Sequence, residues 1–237
     1  MSDQWKKFWE SYNAIEPENE DDLYIQVGKT VNKAPVSKEV FQSFVNDVVE
    51  KLDLKSSDIL LEMCCGNGLL TYSLSQIVQK IYAFDFTEAL IDAAIKYKSN
   101  DNIEYVKGNA KEDFTTIFKE ELPEIQKFLI NDSTSYFTPE ELEKIIERIT
   151  TISKDFKFYL TNVPNNENKW NFYNTPERKA NYEKAVQSGD IFLGGIGRWW
   201  EKSEFIHIAE KFNLKIEIFD MNNEYSYRMS VLLSTQD

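Results

Sequence analysis

The sequence predicts an α/β fold: a mostly parallel sheet of seven strands, covered by helices on both faces, with an antiparallel strand at the C-terminal end. Short continuous apolar runs alternate with segments of helical period, and the loops between them are short. The last two apolar runs are separated only by hairpin punctuation.

Ile59-Leu60-Leu61-Glu62-Met63 is the first such run, stopped by Cys64-Cys65-Gly66-Asn67-Gly68, and its lack of alternation suits a strand buried on both faces. Leu69, Leu70, Leu74, Ile77 and Val78 then recur at helical spacing. Lys80 to Asp85 reads as the second strand, and Thr87 with Glu88 opens a helix whose apolar face is Leu90, Ile91, Ala94, Ile95 and Tyr97. Ile103 to Val106 is the third strand and Lys127 to Asn131 the fourth. Thr138-Pro139-Glu140-Glu141 combines an N-cap, a proline at the first helical position and an acidic first turn. The helix it starts runs through Leu142, Ile145, Ile146 and Ile149, and Phe156 to Leu160 is the fifth strand. Leu214 to Met221 and Ser226 to Leu233, joined by Asn222-Asn223-Glu224-Tyr225, read as an antiparallel pair. Residues 1–57 and 162–200 fall outside the repeat and are expected to cap a substrate. The chain reads as a single domain over 1–237: N-terminal lid or cap helices (1–57), a cofactor-binding half (58–161), a substrate-cap insertion (162–200), and a C-terminal helix and hairpin (201–237).

The 237 residues carry 27 Lys+Arg against 40 Asp+Glu, a net charge of −13. An acidic surface without a basic stripe disfavours nucleic acid and anionic membranes as partners. No apolar run is long enough to cross a bilayer, and the opening residues lack the apolar core of a signal peptide. The only cysteines, Cys64 and Cys65, are adjacent and close no useful loop. A reducing, cytoplasmic location is expected. No zinc-ligand spacing occurs, and no metal is expected.

Chemistry concentrates at the first strand–helix turn. Glycines at 66 and 68 permit a tight turn at a helix N-terminus, and Asp85, about 20 residues on, is placed to accept hydrogen bonds from a ribose. Glu62 ends a buried strand, where an unpaired carboxylate is costly, so a ligand ammonium would explain it. Leu61-Glu62-Met63-Cys64-Cys65-Gly66-Asn67-Gly68 resembles the acid-x-Gly-x-Gly-x-Gly loop of the class I S-adenosylmethionine-dependent methyltransferases, with Cys64 where the first glycine is usual.

That resemblance implies a Rossmann-like, doubly wound sheet and S-adenosylmethionine as cofactor. It implies that Glu62 orients the methionine end, that Gly66 and Gly68 pass close to the cofactor, that Asp85 holds the ribose and that Phe86 flanks the adenine. Asn109, standing where the family has Asp, would meet the adenine amino group. Leu129 to Phe137 resembles the motif that lines the methyl end. The full cofactor set is then Gln26, Glu62, Cys64, Gly66, Gly68, Asp85, Phe86, Asn109, Ala110 and Asn131, with Asp132 and Tyr136 as catalytic residues. Trp5-x-x-Phe8-Trp9 and Leu23 to Thr30 resemble, more narrowly, small bacterial methyltransferases of surface-polysaccharide biosynthesis.

Several features have plainer readings. Cys64 and Cys65 are expected to be small buried residues, and His207 a packed or surface residue. Trp5, Phe8, Trp9 and Tyr12 share one helical face that packs on the domain or closes over the cofactor. The 162–200 segment interleaves aromatics, Phe192 among them, with asparagines, which suits a sugar or nucleotide-sugar; Trp170, Tyr173, Arg198 and Trp199 are the expected substrate-binding residues. Arg178, Arg198, Lys169 and Lys179 in the same stretch are expected either to meet a phosphate or to be solvated. The expected function is methyl transfer to an oxygen, less readily a nitrogen, of a small polar acceptor such as a sugar, nucleotide-sugar or capsule or lipopolysaccharide precursor. A nicotinamide-dependent oxidoreductase and a non-catalytic S-adenosylmethionine-binding partner protein are the alternatives. Oligomeric state is not readable from the chain.

Overall fold

A computed structural model describes residues 7–9, 11, 16–31, 33–118, 125–189 and 195–236. A small hairpin, β1 (Thr30–Val31) and β2 (Ala34–Pro35), precedes the main sheet. The sheet consists of β3 (Ile59–Met63), β4 (Lys80–Asp85), β5 (Ile103–Lys107), β6 (Lys127–Asn131), β7 (Lys157–Pro164), β8 (Lys215–Asp220) and β9 (Arg228–Ser234). Its order is β5-β4-β3-β6-β7-β9-β8. The pairs from β5 to β7 are parallel, whereas β9 is antiparallel to both β7 and β8, so β9 alone runs against the rest.

Neighbouring residues of one strand enter different cores. Leu60, Ile81, Ala83, Leu129 and Tyr159 pack on one face; Leu61, Tyr82, Phe84, Phe128, Ile130 and Phe158 pack on the other. This period of two with both faces covered is why the strands read as unbroken apolar runs. The helix Lys38–Leu52 seals the first face with Phe41, Val45, Val48 and Leu52, one residue per turn of a single stripe. The helices Pro139–Ile152 and Lys202–Lys211 seal the other. The first of these starts at the expected place, with Thr138 accepting from Glu141 N–H at 3.3 Å and Glu141 accepting from Thr138 N–H at 2.9 Å. His207 is exposed on the last helix.

Strand β7 outruns the apolar segment that predicts it, ending at Pro164 rather than Leu160. A register shift against β9 lies between Leu160 and Val163, and Asn162 there has φ +56°. An irregularity of this kind lets a strand continue through polar residues, which periodicity cannot register. Trp5, Tyr12 and Phe192 lie outside the described residues. Among the described residues no helix is long and apolar enough to cross a membrane.

Candidate active site

A cleft of about 350 Å³ opens at the carboxyl ends of β3, β4 and β6. Strand order reverses between β3 and β6, and open parallel sheets bind ligands at such a point. Its wall is made by residues 64–67 after β3, 85–87 at the end of β4, 109–111 after β5 and 131–133 after β6, joined by Trp9, Lys29, Tyr136 and Arg228.

The turn after β3 is left-handed three times, at Cys64 (φ +60°), Gly66 (φ +58°) and Gly68 (φ +74°). At Gly68 an added Cβ would lie 2.3 Å from the Tyr105 hydroxyl, so the packing of β5 requires this glycine; Gly68 does not line the cleft. Cys64 adopts the backbone that the glycine of the family pattern serves, at about 1 kcal/mol or more of strain. Burial pushes both the Cys64 and Cys65 thiols well above their ordinary range, which keeps them protonated and unreactive.

Asp85 is 6% exposed, and its two oxygens accept the N–H of Gly66 at 3.1 Å and of Thr87 at 2.9 Å. Burial lifts its pKa, and those two N–H groups oppose the rise. A carboxylate has about four lone-pair sites, so two remain for ligand hydroxyls. Asn67 is pinned through its Nδ2, which donates to Leu23 O at 2.8 Å and to Gln26 Oε1 at 2.9 Å. Its Oδ1 is buried on the cleft wall with no hydrogen-bond partner. Such an acceptor calls for a donor from a bound molecule. Gln26 itself is buried behind Asn67 and does not line the cleft.

Glu62 stands one layer deeper, 1% exposed, accepting from the Thr71 hydroxyl at 2.7 Å. Burial pushes its pKa up to about 7, opposed by the Thr71 hydrogen bond and by Lys29. A carboxyl with a raised folded-state pKa binds more protons folded than unfolded between its unfolded value near 4.5 and about 7, so stability falls as pH rises through that window. The full difference is on the order of 3 kcal/mol. The midpoint of Glu62→Gln relative to the parent is therefore expected to climb between about pH 4.5 and 7 and level off above. Thermal melts of the ligand-free proteins read it directly, and a gap that does not change with pH refutes it.

Asp132, at the end of β6, has φ +59° and an unusual environment. Lys29 Nζ reaches it at 2.8 Å, and the Arg228 guanidinium pairs with its other oxygen. Burial alone would push its pKa up, but Arg228 and then Lys29 hold it below the usual carboxylate range. A carboxylate so committed is a weak general base. Tyr136 lies on the same wall against Trp9, ring centroids 6.1 Å apart, and burial raises its phenol pKa. Lys111 donates to Tyr136 O at 2.9 Å and to Glu141 at 2.8 Å.

Of the remaining expected cofactor residues, Cys64, Gly66, Phe86, Asn109, Ala110 and Asn131 line the cleft. Asn109 Oδ1 already accepts from Lys111 N at 3.0 Å, and Asn131 Oδ1 accepts from the Thr161 hydroxyl at 2.8 Å. None of the four expected substrate residues lines it. Trp170 borders a second cavity of about 570 Å³, with Thr30, Arg178 and Tyr227. Tyr173 is buried and accepts from Trp199 Nε1 at 3.1 Å, while Arg198 lies over the Trp200 ring and pairs with Glu204. The two cavities are neighbours, since Lys29 and Arg228 line one and the adjacent Thr30 and Tyr227 line the other. Sequence reasoning missed Lys29, Asn67 and Arg228. Lys29, a lone cation after an apolar stretch, carried a faint signal; Arg228 carried none, because only the β7–β9 register brings it to Asp132.

The sheet with β9 reversed, the left-handed turn after β3, and the acid at the end of β4 are the features that the resemblance to class I S-adenosylmethionine-dependent methyltransferases implies for this chain. S-adenosylmethionine is its cofactor. Residues 60–155 match the family described as Methyltransferase domain. A probable cobalt-precorrin-6B C(15)-methyltransferase of Methanococcus vannielii is 26% identical over 172 residues, 67% of this chain and 86% of that protein. A probable ribosomal RNA small subunit methyltransferase A of Pyrococcus furiosus is 29% identical over 92 residues, 39% of this chain; the match spans only 31% of that relative's length. The crystal structure of a magnesium protoporphyrin IX methyltransferase from Synechocystis PCC 6803 with bound SAH shares the fold, with TM-score 0.60, 13% identity, and coverage of 98% of this chain and 94% of that one.

The residues present fit the cofactor. Asp85 has acceptor capacity for the ribose hydroxyls, Asn67 Oδ1 is a buried acceptor awaiting a donor, and Phe86 lines the same cleft.

Proposed function

We propose that this chain transfers a methyl group from S-adenosylmethionine to an oxygen, less readily a nitrogen, of a small polar acceptor. Sugars, nucleotide-sugars and surface-polysaccharide precursors are the acceptors to try first, in keeping with the aromatic and amide-rich second cavity beside the cleft. The observation that carries the reading is the pairing of an adenosine-type cradle at Asp85 and Asn67 with a polar wall at Asp132, Ser133, Ser135 and Tyr136 in the same cleft.

The bound cofactor supplies an electrophilic methyl on a sulfonium. The chain then has to position the acceptor in line and exclude water. Tyr136 orients the acceptor. Asp132, doubly ion-paired, holds Lys29 and Arg228 in place at that end of the cleft. Trp9, on the wall, and the helix Glu20–Gln26, whose Gln26 pins Asn67, act as the cover; Trp170, which borders the second cavity, meets the far part of the acceptor, with the buried Tyr173 and with Trp199 packed behind it. The net charge of −13 favours a small-molecule substrate over nucleic acid, and the two adjacent cysteines a reducing, cytoplasmic site of action.

Calorimetry with adenosylhomocysteine and with NAD, followed by turnover on an acceptor panel, tests this. Adenosylhomocysteine is expected to bind and NAD is not. NAD binding alone supports an oxidoreductase, and adenosylhomocysteine binding without turnover supports a non-catalytic partner protein.

A further inference from the structure

The segment from Leu23 to Lys29 bridges two neighbouring strand ends. At the turn after β3, Leu23 O and Gln26 Oε1 accept from Asn67 Nδ2 at 2.8 and 2.9 Å. Val27 packs on Gly66, where an added Cβ would lie 3.0 Å from Val27 Cγ1. Past the end of β6, Lys29 Nζ donates to Asp132 Oδ2 at 2.8 Å. Strands β3 and β6 are paired in the sheet, and paired strands lie about 4.8 Å apart, so one short ligand group spans both ends.

Each end presents a polar group of definite sign to the cleft. A backbone carbonyl only accepts, so Leu23 O fixes the Asn67 amide with its nitrogen toward the helix Glu20–Gln26. Asn67 Oδ1 is then left fully buried on the cleft wall, without a hydrogen-bond partner among the described residues. Lys29 is 8% exposed and lines the same cleft. Its ammonium carries three donors, of which Asp132 takes one. An orphaned acceptor and a buried cation on one wall match the ammonium and the carboxylate of an α-amino acid. Glu62, to which the resemblance gives the methionine end, is tied to the Thr71 hydroxyl and does not line the cleft.

We infer that Asn67 and Lys29 clamp the amino-acid end of the cofactor, Asn67 Oδ1 accepting from its ammonium and Lys29 Nζ donating to its carboxylate. Asp132 is then a positioning residue, which holds Lys29 at the cleft while Arg228 anchors it from β9. The local charges close, because the two buried cations Lys29 and Arg228 meet two carboxylates, that of Asp132 and that of the cofactor. A dinucleotide has no amino-acid end, so the same clamp gives it nothing to hold.

The inference rests on the methyl-transfer reading. Calorimetry compares adenosylhomocysteine with its decarboxylated and deaminated analogues and with methylthioadenosine, which keeps the adenosine and lacks the amino-acid end. For the parent protein, removing either charged group is expected to weaken binding about 10-fold or more, as one charge-assisted hydrogen bond implies. Lys29→Met is expected to lose the carboxylate preference, binding adenosylhomocysteine about 10-fold or more weakly but the decarboxylated analogue and methylthioadenosine no more weakly than the parent does. Lys29→Arg is expected to regain most of that loss. Asn67→Ala is expected to lose the ammonium preference, whereas Gln26→Ala, which removes a pin and keeps the acceptor, retains it. Melts establish that each variant is folded; should Asn67→Ala not fold, the parent's ranking of the analogues and the Lys29 variants decide. Methylthioadenosine binding the parent as tightly as adenosylhomocysteine, a loss in Lys29→Met shared equally by all four ligands, or a carboxylate preference removed by Arg228→Gln and not by Lys29→Met overturns the clamp. Binding of none of the four overturns the methyl-transfer reading, and the clamp with it.

Discussion

Replacing Asp85 with alanine is expected to weaken adenosylhomocysteine binding by about 100-fold or more. Two ribose hydroxyls donating to a carboxylate are charge-assisted hydrogen bonds at about 1.5–3 kcal/mol each, and every 1.4 kcal/mol or so is tenfold in affinity. The side chain also sets the cradle, since it ties Gly66 to Thr87 across the turn. Asp85→Asn keeps one acceptor oxygen and is expected to lose about tenfold. Calorimetry on both variants, with a melt to establish that each is folded, measures this. Parent-like affinity in folded Asp85→Ala would remove the cradle from the argument.

The largest stability effect is expected at Asp132. Asp132→Asn leaves Lys29 and Arg228 close together without their carboxylate, and breaking one side of a buried ion pair costs about 3–5 kcal/mol. For a chain of this size that lowers the thermal midpoint by about 10 °C. The sign with pH is definite. A depressed folded-state pKa gives stability that is complete above the unfolded value near 3.9 and lost as pH falls through the folded value. The deficit of Asp132→Asn should thus be constant from about pH 5 to 8, whereas the Glu62→Gln difference changes up to about pH 7 and is flat only above it. Adding Arg228→Gln removes one stranded cation and should recover part of the loss. A variant that melts with the parent at neutral pH shows the network to be dispensable.

Much of the frame was legible without coordinates. The start of the helix at Pro139 is local chemistry, written in four consecutive residues. The bounds of β3, β4 and β6 agree with the apolar runs, because strands buried on both faces read as near-continuous apolar segments, broken in β3 only by Glu62. Strand β7 was half legible, since its last residues are held by β9 rather than by their own hydrophobicity. Within the cleft, Asp85 and Gly66 follow from spacing along one strand–turn–helix–strand unit. Asn67 did not stand out, because an asparagine in a turn is ordinary until its amide is seen tied to Leu23 and Gln26.

The sequence by itself determined the alternation of strand and helix, the turn that receives the cofactor and the acid at the end of the next strand. These depend on residues within a few turns of one another, where periodicity and backbone preference dominate. Tertiary structure decided the acceptor end. Asp132 meets Lys29 across 103 positions and Arg228 across 96, and the charge of that wall exists only once β9 is inserted beside β7 and the N-terminal segment folds over the strand ends. Coulombic interactions act through space, so no local pattern in the chain records which charges become neighbours.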